Sequence, residues 1–476
     1  MDTKKGRSRG PIAKLAGRFV EVADRWFPDS YVFVLIGVML VAFAAMLNGA
    51  SALDVSKSFG DGFWTLIPFT MQMAYVAIGG YIVATSPPAA SALRWLARLP
   101  LSGRSAIVFV GLLSIGLSLI NWGLSLIFSG LLVRELARRQ EVRLDYRAAG
   151  AAAYLGLGCG FTLGMTSSAA QLQANINSIP ENLLPITGVI SFTQTIFTWQ
   201  NGVTIVVITV LSSLVCYLTA PTGDHIRTAE ELNIDLTVEQ SEPPLSAERP
   251  GDYLERSPLL TIPIAFLALG WVVQTFANGS PLTAMSNLNN YNFIFLLLGA
   301  LLHWRPRNLL AAVSRAIPSL SGVLLQFPFY AGIAHILTGP RNTEGLTLSD
   351  NIAGLFVNTS ADLTGFTLLV SLYSAFLGFF IPSAGGKWLI EAPYVATAAN
   401  EVGAHLGWTV MVYNLSETLP NLLNPFWMLP LLGILGLKAK DIVGYTAIQF
   451  AVHFPVVLTL CALLMLTFTY HPPGMP

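Results

Sequence analysis

Charged residues are scarce in this sequence. Asp, Glu, Lys and Arg make up 11% of the 476 residues, whereas 53% are hydrophobic. A soluble domain carries about 25% charged residues, so this chain cannot cover a globular surface that faces water. Basic and acidic residues number 26 each, and this balance excludes the basic footprint of a nucleic-acid-binding protein. The composition and the long apolar runs predict an all-α integral membrane protein that contacts the lipid bilayer.

Cysteine is also scarce, and the common enzyme motifs are absent. Cys159, Cys216 and Cys461 each lie in an apolar stretch and form no C-x-x-C pattern, so neither a disulfide framework nor a cysteine metal site is predicted. The sequence contains no H-E-x-x-H, G-x-S-x-G or P-loop motif. We therefore expect no catalytic residues and no organic cofactor.

The basic residues fall in blocks, which indicates topology because Lys and Arg accumulate on the cytoplasmic side of membrane spans. The first block runs from Lys4 to Arg25. Residues 1–30 are therefore predicted to be a cytoplasmic segment, either lying in the membrane interface or packed as an ordinary amphipathic helix. Apolar runs of about 20 residues then predict about nine to ten spanning helices, with the N-terminus in the cytoplasm.

Residues 105–133 predict a re-entrant hairpin. They are uncharged, yet Arg104 precedes them and a basic block begins at Arg134. Both ends should lie in the cytoplasm, although the segment is too short for two crossings of about 20 residues each. A turn at Asn121-Trp122-Gly123 near the middle of the membrane satisfies both conditions. Non-helical backbone at that depth is tolerated only where protein or a water-filled cavity surrounds it.

A second re-entrant hairpin is predicted at residues 366–399, where Pro382-Ser383-Ala384-Gly385-Gly386 interrupts an apolar run. Its flanks lack positive charge, so we expect it to begin and end on the outer side of the membrane. The one long polar segment, residues 221–257, is predicted to be a cytoplasmic and partly disordered linker. Residues 258–277 are predicted to be a connecting span.

The two hairpins divide the chain into two similar halves, predicted at residues 31–220 and 291–470. Gln72-Met-Ala-Tyr-Val-Ala leads into the first hairpin, and Gln326-Phe-Pro-Phe-Tyr-Ala leads into the second. One hairpin is expected to begin on the inner side and the other on the outer side. This pattern is typical of inverted-repeat transporters, whose sites lie where interrupted helices meet near the midplane.

Several short motifs occur in an order that resembles the bacterial short-chain fatty acid transporter family, over nearly the whole chain. They are Gly60-Asp-Gly-Phe-Trp64 with Phe69-Thr-Met-Gln-Met73, Ile120-Asn-Trp-Gly123, Gln326-Phe-Pro-Phe-Tyr-Ala-Gly332, Pro382-Ser-Ala-Gly-Gly-Lys-Trp388 and Asn424-Pro-Phe-Trp427. The resemblance implies the ion-transporter superfamily fold, with an elevator-type movement of a domain that carries both hairpins. It also implies a multi-pass protein of the bacterial cytoplasmic (inner) membrane, often a homodimer.

The resemblance implies secondary transport of short-chain monocarboxylates such as butyrate or acetoacetate, by symport with H⁺ or Na⁺. The sequence departs from the family pattern at Lys387 and in Gly164-Met-Thr-Ser-Ser168, which leaves the exact substrate open. The alternatives are transport of another small organic anion, such as a dicarboxylate, and a channel-like anion conduit.

The candidate substrate-binding residues lie at the hairpin tips and in the helices before them. Half-helices that begin at the tips offer a carboxylate free N–H groups and a positive helix end; the alternative is that the tips are tight turns without a ligand. Lys387 is a candidate to pair with the substrate, or else to pair with Glu391 or to extend toward the surface. Gln72 and Gln326 either line the cavity or join helices. The full set is Gln72, Asn121, Trp122, Gly123, Gln326, Ser383, Ala384, Gly385, Gly386 and Lys387.

A second set of polar residues consists of candidates for the coupling ion. Glu417 lies in an apolar span, where it is expected to carry a proton, to help bind a cation or to pack as a neutral acid. Hydroxyl and amide oxygens are suitable ligands for Na⁺. The candidates of this kind are Thr166, Ser167, Ser168, Asn421 and Asn424. His335 and His453 are expected to be hydrogen-bonded core residues.

Overall fold

The computed structural model describes residues 30–236, 249–278 and 281–473. Within these ranges the chain is helical, and one isolated bridge pairs Arg341 with Thr347. The predictions for residues 1–29 and for residues 237–248 of the linker lie outside the described residues. The α-helices are α1 (Ser30–Leu47), α2 (Ala52–Gly62), α3 (Ile67–Ala84), α4 (Pro87–Leu96), α5 (Gly103–Ser118), α6 (Trp122–Ala137), α7 (Tyr146–Leu155), α8 (Ser168–Ala174), α9 (Leu184–Thr187), α10 (Trp199–Thr219), α11 (Pro250–Arg256), α12 (Thr261–Ala277), α13 (Pro281–Ser286), α14 (Leu288–His303), α15 (Pro306–Ala316), α16 (Ser321–Thr338), α17 (Leu348–Thr359), α18 (Leu363–Gly378), α19 (Ala384–Val402), α20 (Leu406–Thr418), α21 (Leu429–Leu435) and α22 (Ala439–Met465).

Several of these helices are long and apolar enough to cross a membrane. Among the described residues there are six such segments, or seven if the bent pair Leu406–Leu422 and Phe426–Leu435 forms one span. The six are Ile67–Ala84, Tyr146–Ala174, Trp199–Thr219, Pro250–Ala277, Ser321–Thr338 and Ala439–Met465. Helices α1, α5, α14 and α18 are apolar but shorter. The all-helical multi-span architecture agrees with the sequence, while nine to ten spans stays a prediction.

Both predicted hairpins are helix–turn–helix units. In the first, α5 packs along α6, and residues 119–121 join them. In the second, residues 379–383 join α18 to α19. The turns lie where glycine or a short polar residue interrupts the apolar run, because such residues favour helix starts over helix interiors.

Two further helices are broken, within apolar stretches at residues 148–170 and 406–432 that are each long enough to predict a continuous span. After α7 the chain forms a π-helical turn (Gly156–Gly160) and a 3₁₀ turn (Phe161–Leu163), and residues 164–167 separate these from α8. A Cβ atom on Gly164 would overlap Leu119 in the first hairpin turn, so the break and the tip pack together there. The second break lies between Leu422 and Phe426 and bends the chain by 73°. It contains Pro425, which disfavours helix at the preceding residue.

The described part of the predicted linker packs on the protein. The guanidinium groups of Arg134 and Arg138 donate hydrogen bonds to the carbonyl groups of Asp235 and Leu236, at 3.0 and 2.7 Å. The Arg227 N–H donates to the buried Asp145 carboxylate at 2.8 Å. Residues 227, 235 and 236 thus contact the first hairpin and the start of α7, while the cytoplasmic, partly disordered linker stays a prediction.

The two halves of the chain use the same order of elements. Helix α3 packs against α6, the second arm of the first hairpin, and α16 packs in the same way against α19. The first arms, α5 and α18, pack against α10 and α22 respectively. The hairpin tips and the two broken helices meet in the buried centre.

Candidate solute-binding site

The tip of the second hairpin places the start of α19 beside a buried cavity. Ser383 has an extended backbone (φ −147°, ψ 97°), and its hydroxyl accepts the Gly386 N–H at 3.2 Å, which makes it the N-cap. N–H groups in the first helical turn have no acceptor within their own helix. Ala384 and Gly385, which carry two such groups, line the cavity. Together with the positive end of the helix dipole, these groups favour an anion.

Glycine is required at this tip because neighbouring side chains come close to its backbone. A Cβ atom on Gly385 would lie 3.0 Å from the Phe69 ring and 3.0 Å from Ser168 Cβ. A Cβ atom on Gly386 would overlap the ring of Tyr330. The absence of side chains therefore lets the helix start reach the cavity wall directly.

The tip of the first hairpin has the same local design but different partners. Asn121 caps α6 by accepting the Leu124 N–H at 2.9 Å, and its amide donates to the Val76 carbonyl and to the Tyr291 hydroxyl, each at 3.1 Å. The Trp122 N–H donates to Thr166 Oγ1 at 3.2 Å. Protein groups therefore satisfy Asn121 and the first N–H of the helix, while the Trp122 side chain reaches the cavity.

We call the cavity between the two tips the inner chamber. It has a volume of about 40 Å³, close to the space of one or two water molecules. Its lining residues are Met73, Trp122, Leu157, Phe161, Ser168, Val323, Phe327, Ser383, Ala384, Gly385, Asn421 and Trp427. Ser168, Ser383, Asn421 and the tip backbone supply polar groups, and the rest of the wall is apolar. Such a tight site suits a small solute with one polar end and a short apolar chain.

Lys387 does not line the inner chamber. Its ammonium group lies 2.8 Å from Glu391 Oε1, donates to the Ser374 carbonyl at 2.9 Å and lies 4.4 Å from the centre of the Tyr413 ring. The Ser374 hydroxyl in turn donates to the other oxygen of Glu391. Both members of the ion pair are fully buried. Of the alternatives left open by the sequence, the structure shows the pair with Glu391, which ties the two arms of the second hairpin together.

Glu417 lies buried in α20, and neither carboxyl oxygen has a hydrogen-bond partner among the described residues. It interacts electrostatically with Lys387 and Glu391. Asn414 lies three residues before it on the same side of α20, and Asn421 lies four residues after it in the 3₁₀ turn Leu419–Leu422 that follows the helix. Each asparagine also has a buried side-chain oxygen without a partner in the described part of the chain. Buried oxygens without donors are costly, so this cluster is suited to a proton or a cation.

Neither Gln72 nor Gln326 lines the inner chamber. Gln72 donates to Asn289 Oδ1 at 2.8 Å and accepts from the Ser178 hydroxyl at 3.2 Å. Gln326 accepts from the Tyr330 hydroxyl at 2.9 Å. The Gln72–Asn289 bond joins α3 to α14, which is the inter-helix role that the sequence offered as the alternative, whereas the Gln326–Tyr330 bond lies within α16.

Some polar residues at the two breaks form hydrogen bonds within the protein, and others line the inner chamber. Ser167 accepts from the Asn414 amide at 2.9 Å, and Thr166 is engaged with Trp122 as described above. Asn424 donates to the Phe379 carbonyl at 3.1 Å and accepts from the Phe426 N–H at 3.0 Å. Ser168 and Asn421 line the inner chamber. His453 is a hydrogen-bonded core residue, as predicted, with the Ser212 hydroxyl 2.9 Å from its Nε2 atom.

Comparison with known proteins identifies the family. The family described as "Short chain fatty acid transporter" matches residues 11–466. The chain belongs to this family. Two relatives carry the name "Putative short-chain fatty acid transporter". The one from Escherichia coli (strain K12) is 34% identical over 464 residues, which cover 95% of this chain and 99% of the relative. The one from Haemophilus influenzae (strain ATCC 51907 / DSM 11121 / KW20 / Rd) is 30% identical over 447 residues, which cover 91% and 96%.

Two solved structures share the fold of this transporter. The Alcanivorax borkumensis YdaH transporter superposes with a TM-score of 0.55 and 15% identity, over 92% of this chain and 96% of the other. MtrF of Neisseria gonorrhoeae, described with a class of antimetabolite efflux pumps, superposes with a TM-score of 0.59 and 15% identity, over 97% and 100%. At this identity the likeness concerns the fold alone. Family and fold together show a multi-pass bacterial membrane transporter and not an enzyme.

In this transporter the structure brings together six of the predicted site residues at the inner chamber: Trp122, Ser168, Ser383, Ala384, Gly385 and Asn421. Gly123 and Gly386 lie at the tips, and neither Lys387 nor Glu417 is among the residues that line the chamber. The sequence did not indicate the apolar wall, for which Met73 and Phe327 are examples. Both lie within motifs of the family resemblance, which was the available signal. Trp427 was likewise noted only as part of a motif.

Proposed function

We propose that this protein is a secondary active transporter of short-chain fatty acids such as butyrate and acetoacetate-like monocarboxylates. The inner chamber carries this proposal, because a polar helix start faces an apolar wall; at about 40 Å³ the chamber has to widen to admit butyrate. The substrate carboxylate would accept hydrogen bonds from the Ala384 and Gly385 N–H groups and from Ser168. The acyl chain would lie against Met73 and Phe327.

The coupling cation is assigned to Glu417. A buried carboxylate without a donor is strongly disfavoured unless a proton or a cation neutralises it. Lys387 is already paired with Glu391, so it does not supply a full counter-charge. Asn414 and Asn421 provide further oxygens for a Na⁺ ion, whereas a proton needs the carboxylate alone. Symport of the cation and the anion also removes the cost of moving an unpaired charge through the protein.

The topology follows from the basic residues and the matching order of elements in the two halves. In this proposal the hairpins are re-entrant, the halves are an inverted repeat, and both hairpins move together as an elevator-type domain. The equivalent capping geometry of Asn121 and Ser383 supports the repeat. The N-terminus lies in the cytoplasm.

A homodimer is part of the same proposal. The segment Pro250–Ala277 is apolar, and only 6% of its apolar window is buried within the chain. An apolar helix with this little internal contact is covered by lipid or by a second copy, and the dimer places part of it at an interface.

Uptake of labelled butyrate and acetoacetate into proteoliposomes tests the function. We expect accumulation against a gradient when a proton or sodium gradient is imposed, and the two gradients, applied separately, identify the coupling ion. Unlabelled substrate on the opposite side should accelerate uptake, as a carrier requires and a channel-like conduit does not. Accumulation of dicarboxylates in place of monocarboxylates, or no gradient-driven uptake of any small carboxylate, would contradict the proposal.

Glu417→Gln tests the coupling site. The amide cannot carry the cation charge, so gradient-driven accumulation should be lost while exchange of labelled for unlabelled butyrate continues. The matched control is Glu401→Gln, because Glu401 is exposed at the end of α19. Coupling that survives Glu417→Gln unchanged would remove Glu417 from this role.

A further inference from the structure

A second cavity adjoins the inner chamber, and we call it the outer chamber. Its volume is about 410 Å³, roughly tenfold that of the inner chamber. Residues of α6, such as Leu126 and Ile127, form one side of it, and residues of α21, such as Pro430 and Gly433, form the other. No heavy atom lies within 4 Å of the position that a Gly433 Cβ would take. The outer chamber therefore has room for a hydrated solute.

Two tryptophans are the only lining residues that the inner and outer chambers share among the described residues. The rings of Trp122 and Trp427 lie with their centroids 5.6 Å apart and cross at 67°. Trp122 begins α6 at the first tip, and Trp427 lies beyond the second break. The Trp427 indole N–H donates to the Pro382 carbonyl at 2.6 Å, which anchors this ring to the second tip. The tryptophan pair is thus a partition fixed to both hairpins.

Arg315 is the one charged side chain among the described residues that line the outer chamber. It lies in the last turn of the amphipathic helix α15 and is exposed. No ion pair in the described part of the chain includes it, whereas Arg307 of the same helix pairs with Glu255 at 3.7 Å. Its electrostatic contacts are with Tyr81 and His303, neither of which is an acid. The charge is therefore available to an anion in the cavity.

We infer that the outer chamber is a second, weaker site for small carboxylates, in which Arg315 attracts the hydrated anion before the tryptophan pair admits it to the inner chamber. This inference rests on the proposed function for the identity of the anion. A cavity with low-dielectric walls and one sign of charge raises the local concentration of the opposite ion. The anion loses its hydration water only at the inner chamber, where the N–H groups at the start of α19 replace that water. Because Arg315 lies in α15, which also carries Arg307, the predicted topology assigns this chamber to the cytoplasmic side.

Thiol labelling tests the anion site without requiring transport. In Gly433→Cys the new side chain faces the outer chamber, and the three native cysteines are buried. We compare the rates of an anionic reagent, sulfonatoethyl methanethiosulfonate, and a cationic one, trimethylammonioethyl methanethiosulfonate. Adding Arg315→Gln should lower the anionic-to-cationic rate ratio by roughly threefold to tenfold, and Arg315→Lys should preserve it. Arg307→Gln is the matched control and should leave the ratio unchanged. An unchanged ratio in Arg315→Gln would overturn the anion site.

The same reagents test the partition. Ala384→Cys places a thiol in the inner chamber, where we expect slow reaction compared with Gly433→Cys. Trp427→Ala should accelerate labelling at position 384 several-fold and leave position 433 unchanged, while Trp427→Phe, which retains a ring, should have a smaller effect. Equal rates at the two positions with Trp427 present would contradict the partition.

Uptake separates failure of this inference from failure of the proposed function. If butyrate is transported, Arg315→Gln should raise the KM of uptake from the α15 side several-fold, at an unchanged maximum rate, and high salt should abolish the difference. Uptake from the opposite side should not change. A transporter that moves butyrate with the same KM in both proteins refutes the role of Arg315 alone. Absence of uptake with an intact labelling ratio refutes the substrate and leaves an anion site.

Discussion

The two hairpin tips share one local design and differ in what surrounds it. In each, a short polar residue caps the second arm by accepting an N–H three residues on: Asn121 in the first hairpin and Ser383 in the second. At the first tip, Thr166 accepts the Trp122 N–H, and a bulky ring follows the cap. At the second tip, alanine and glycine follow the cap and line the inner chamber. In our proposal the second tip therefore binds the anion and the first tip closes the chamber.

The arms of the hairpins are also tied together at equivalent positions. The fourth residue after the cap is Ser125 in the first hairpin, where its hydroxyl donates to the Ser114 carbonyl at 2.6 Å. The fourth residue after the cap in the second is Lys387, which donates to the Ser374 carbonyl at 2.9 Å. The Lys387 ammonium group therefore takes the place of the Ser125 hydroxyl as the donor between the arms. Glu391 is the counter-ion of this ammonium group. The comparison shows Lys387 as a hydrogen-bond link between the two arms and not as a residue that lines the inner chamber.

The largest expected effect comes from breaking that link. Lys387→Ala leaves the Glu391 carboxylate buried without its partner, which costs about 3–5 kcal/mol of stability. We expect the thermal unfolding temperature in detergent to fall and the amount of folded protein to drop. The double variant Lys387→Ser, Glu391→Ser copies Ser125 and Ser129 of the first hairpin and should recover most of the loss. A stable Lys387→Ala protein that no longer binds butyrate would instead favour contact with the substrate.

A methyl group at the second tip should be the next most damaging change. Gly385→Ala places a Cβ atom 3.0 Å from Phe69 and Ser168, inside the space proposed for the carboxylate. Butyrate uptake should fall by at least roughly tenfold, since small displacements of bound groups have effects of this order or larger. The control is Gly433→Ala, where the new atom meets open space. Equal butyrate uptake by the Gly385→Ala and Gly433→Ala variants would contradict carboxylate binding at the second tip.

Two single-hydroxyl changes give the smallest and most selective effects. Thr166→Val removes the acceptor of the Trp122 N–H and should cost about 1–3 kcal/mol of stability with little change in KM. Ser168→Ala removes a donor from the inner chamber and should raise the KM for butyrate several-fold with little change in stability. The pair of measurements is thermal unfolding and uptake kinetics for each variant. If Thr166→Val instead raises the KM and Ser168→Ala instead lowers the stability, the first tip is the one that binds the substrate.

Helix–turn–helix units lie where the sequence predicts the hairpins because the signals for them are local, while their re-entrant course stays a prediction. Uncharged segments with basic flanks and a polar or glycine-rich interruption indicate both the helix pair and its turn. The arms extend a few residues beyond the predicted 105–133 and 366–399, at both ends, since helix starts depend on caps such as Ser102 and Asp362. The two broken helices were missed although both runs contain helix-disfavouring residues, Gly156, Gly158 and Gly160 in the first and Pro420 and Pro425 in the second. Gly164 interrupts its helix only because Leu119, from another element, lies against it.

The site was predictable in part. The tip residues follow from the hairpins, but the role of Lys387 was open because spacing of four residues allows a pair with Glu391 without requiring it. The Ser374 carbonyl, on the other arm, fixes the position of the Lys387 ammonium group, and no local sequence pattern predicts that contact. Gln72 has the same difficulty, since its partner Asn289 lies 217 residues further along the chain. Roles for Trp427 and Arg315 can be proposed only once the structure shows the inner and outer chambers that they line.

Protection of the inner chamber by substrate tests most directly whether a short carboxylate binds at the second tip. The measurement is the labelling rate of Ala384→Cys at increasing butyrate concentration, with Gly433→Cys as the comparison. We predict that butyrate slows labelling at position 384 with a half-maximal concentration near the KM of uptake, and protects position 433 only weakly. A labelling rate at position 384 that stays constant through concentrations that saturate uptake would contradict binding at this tip.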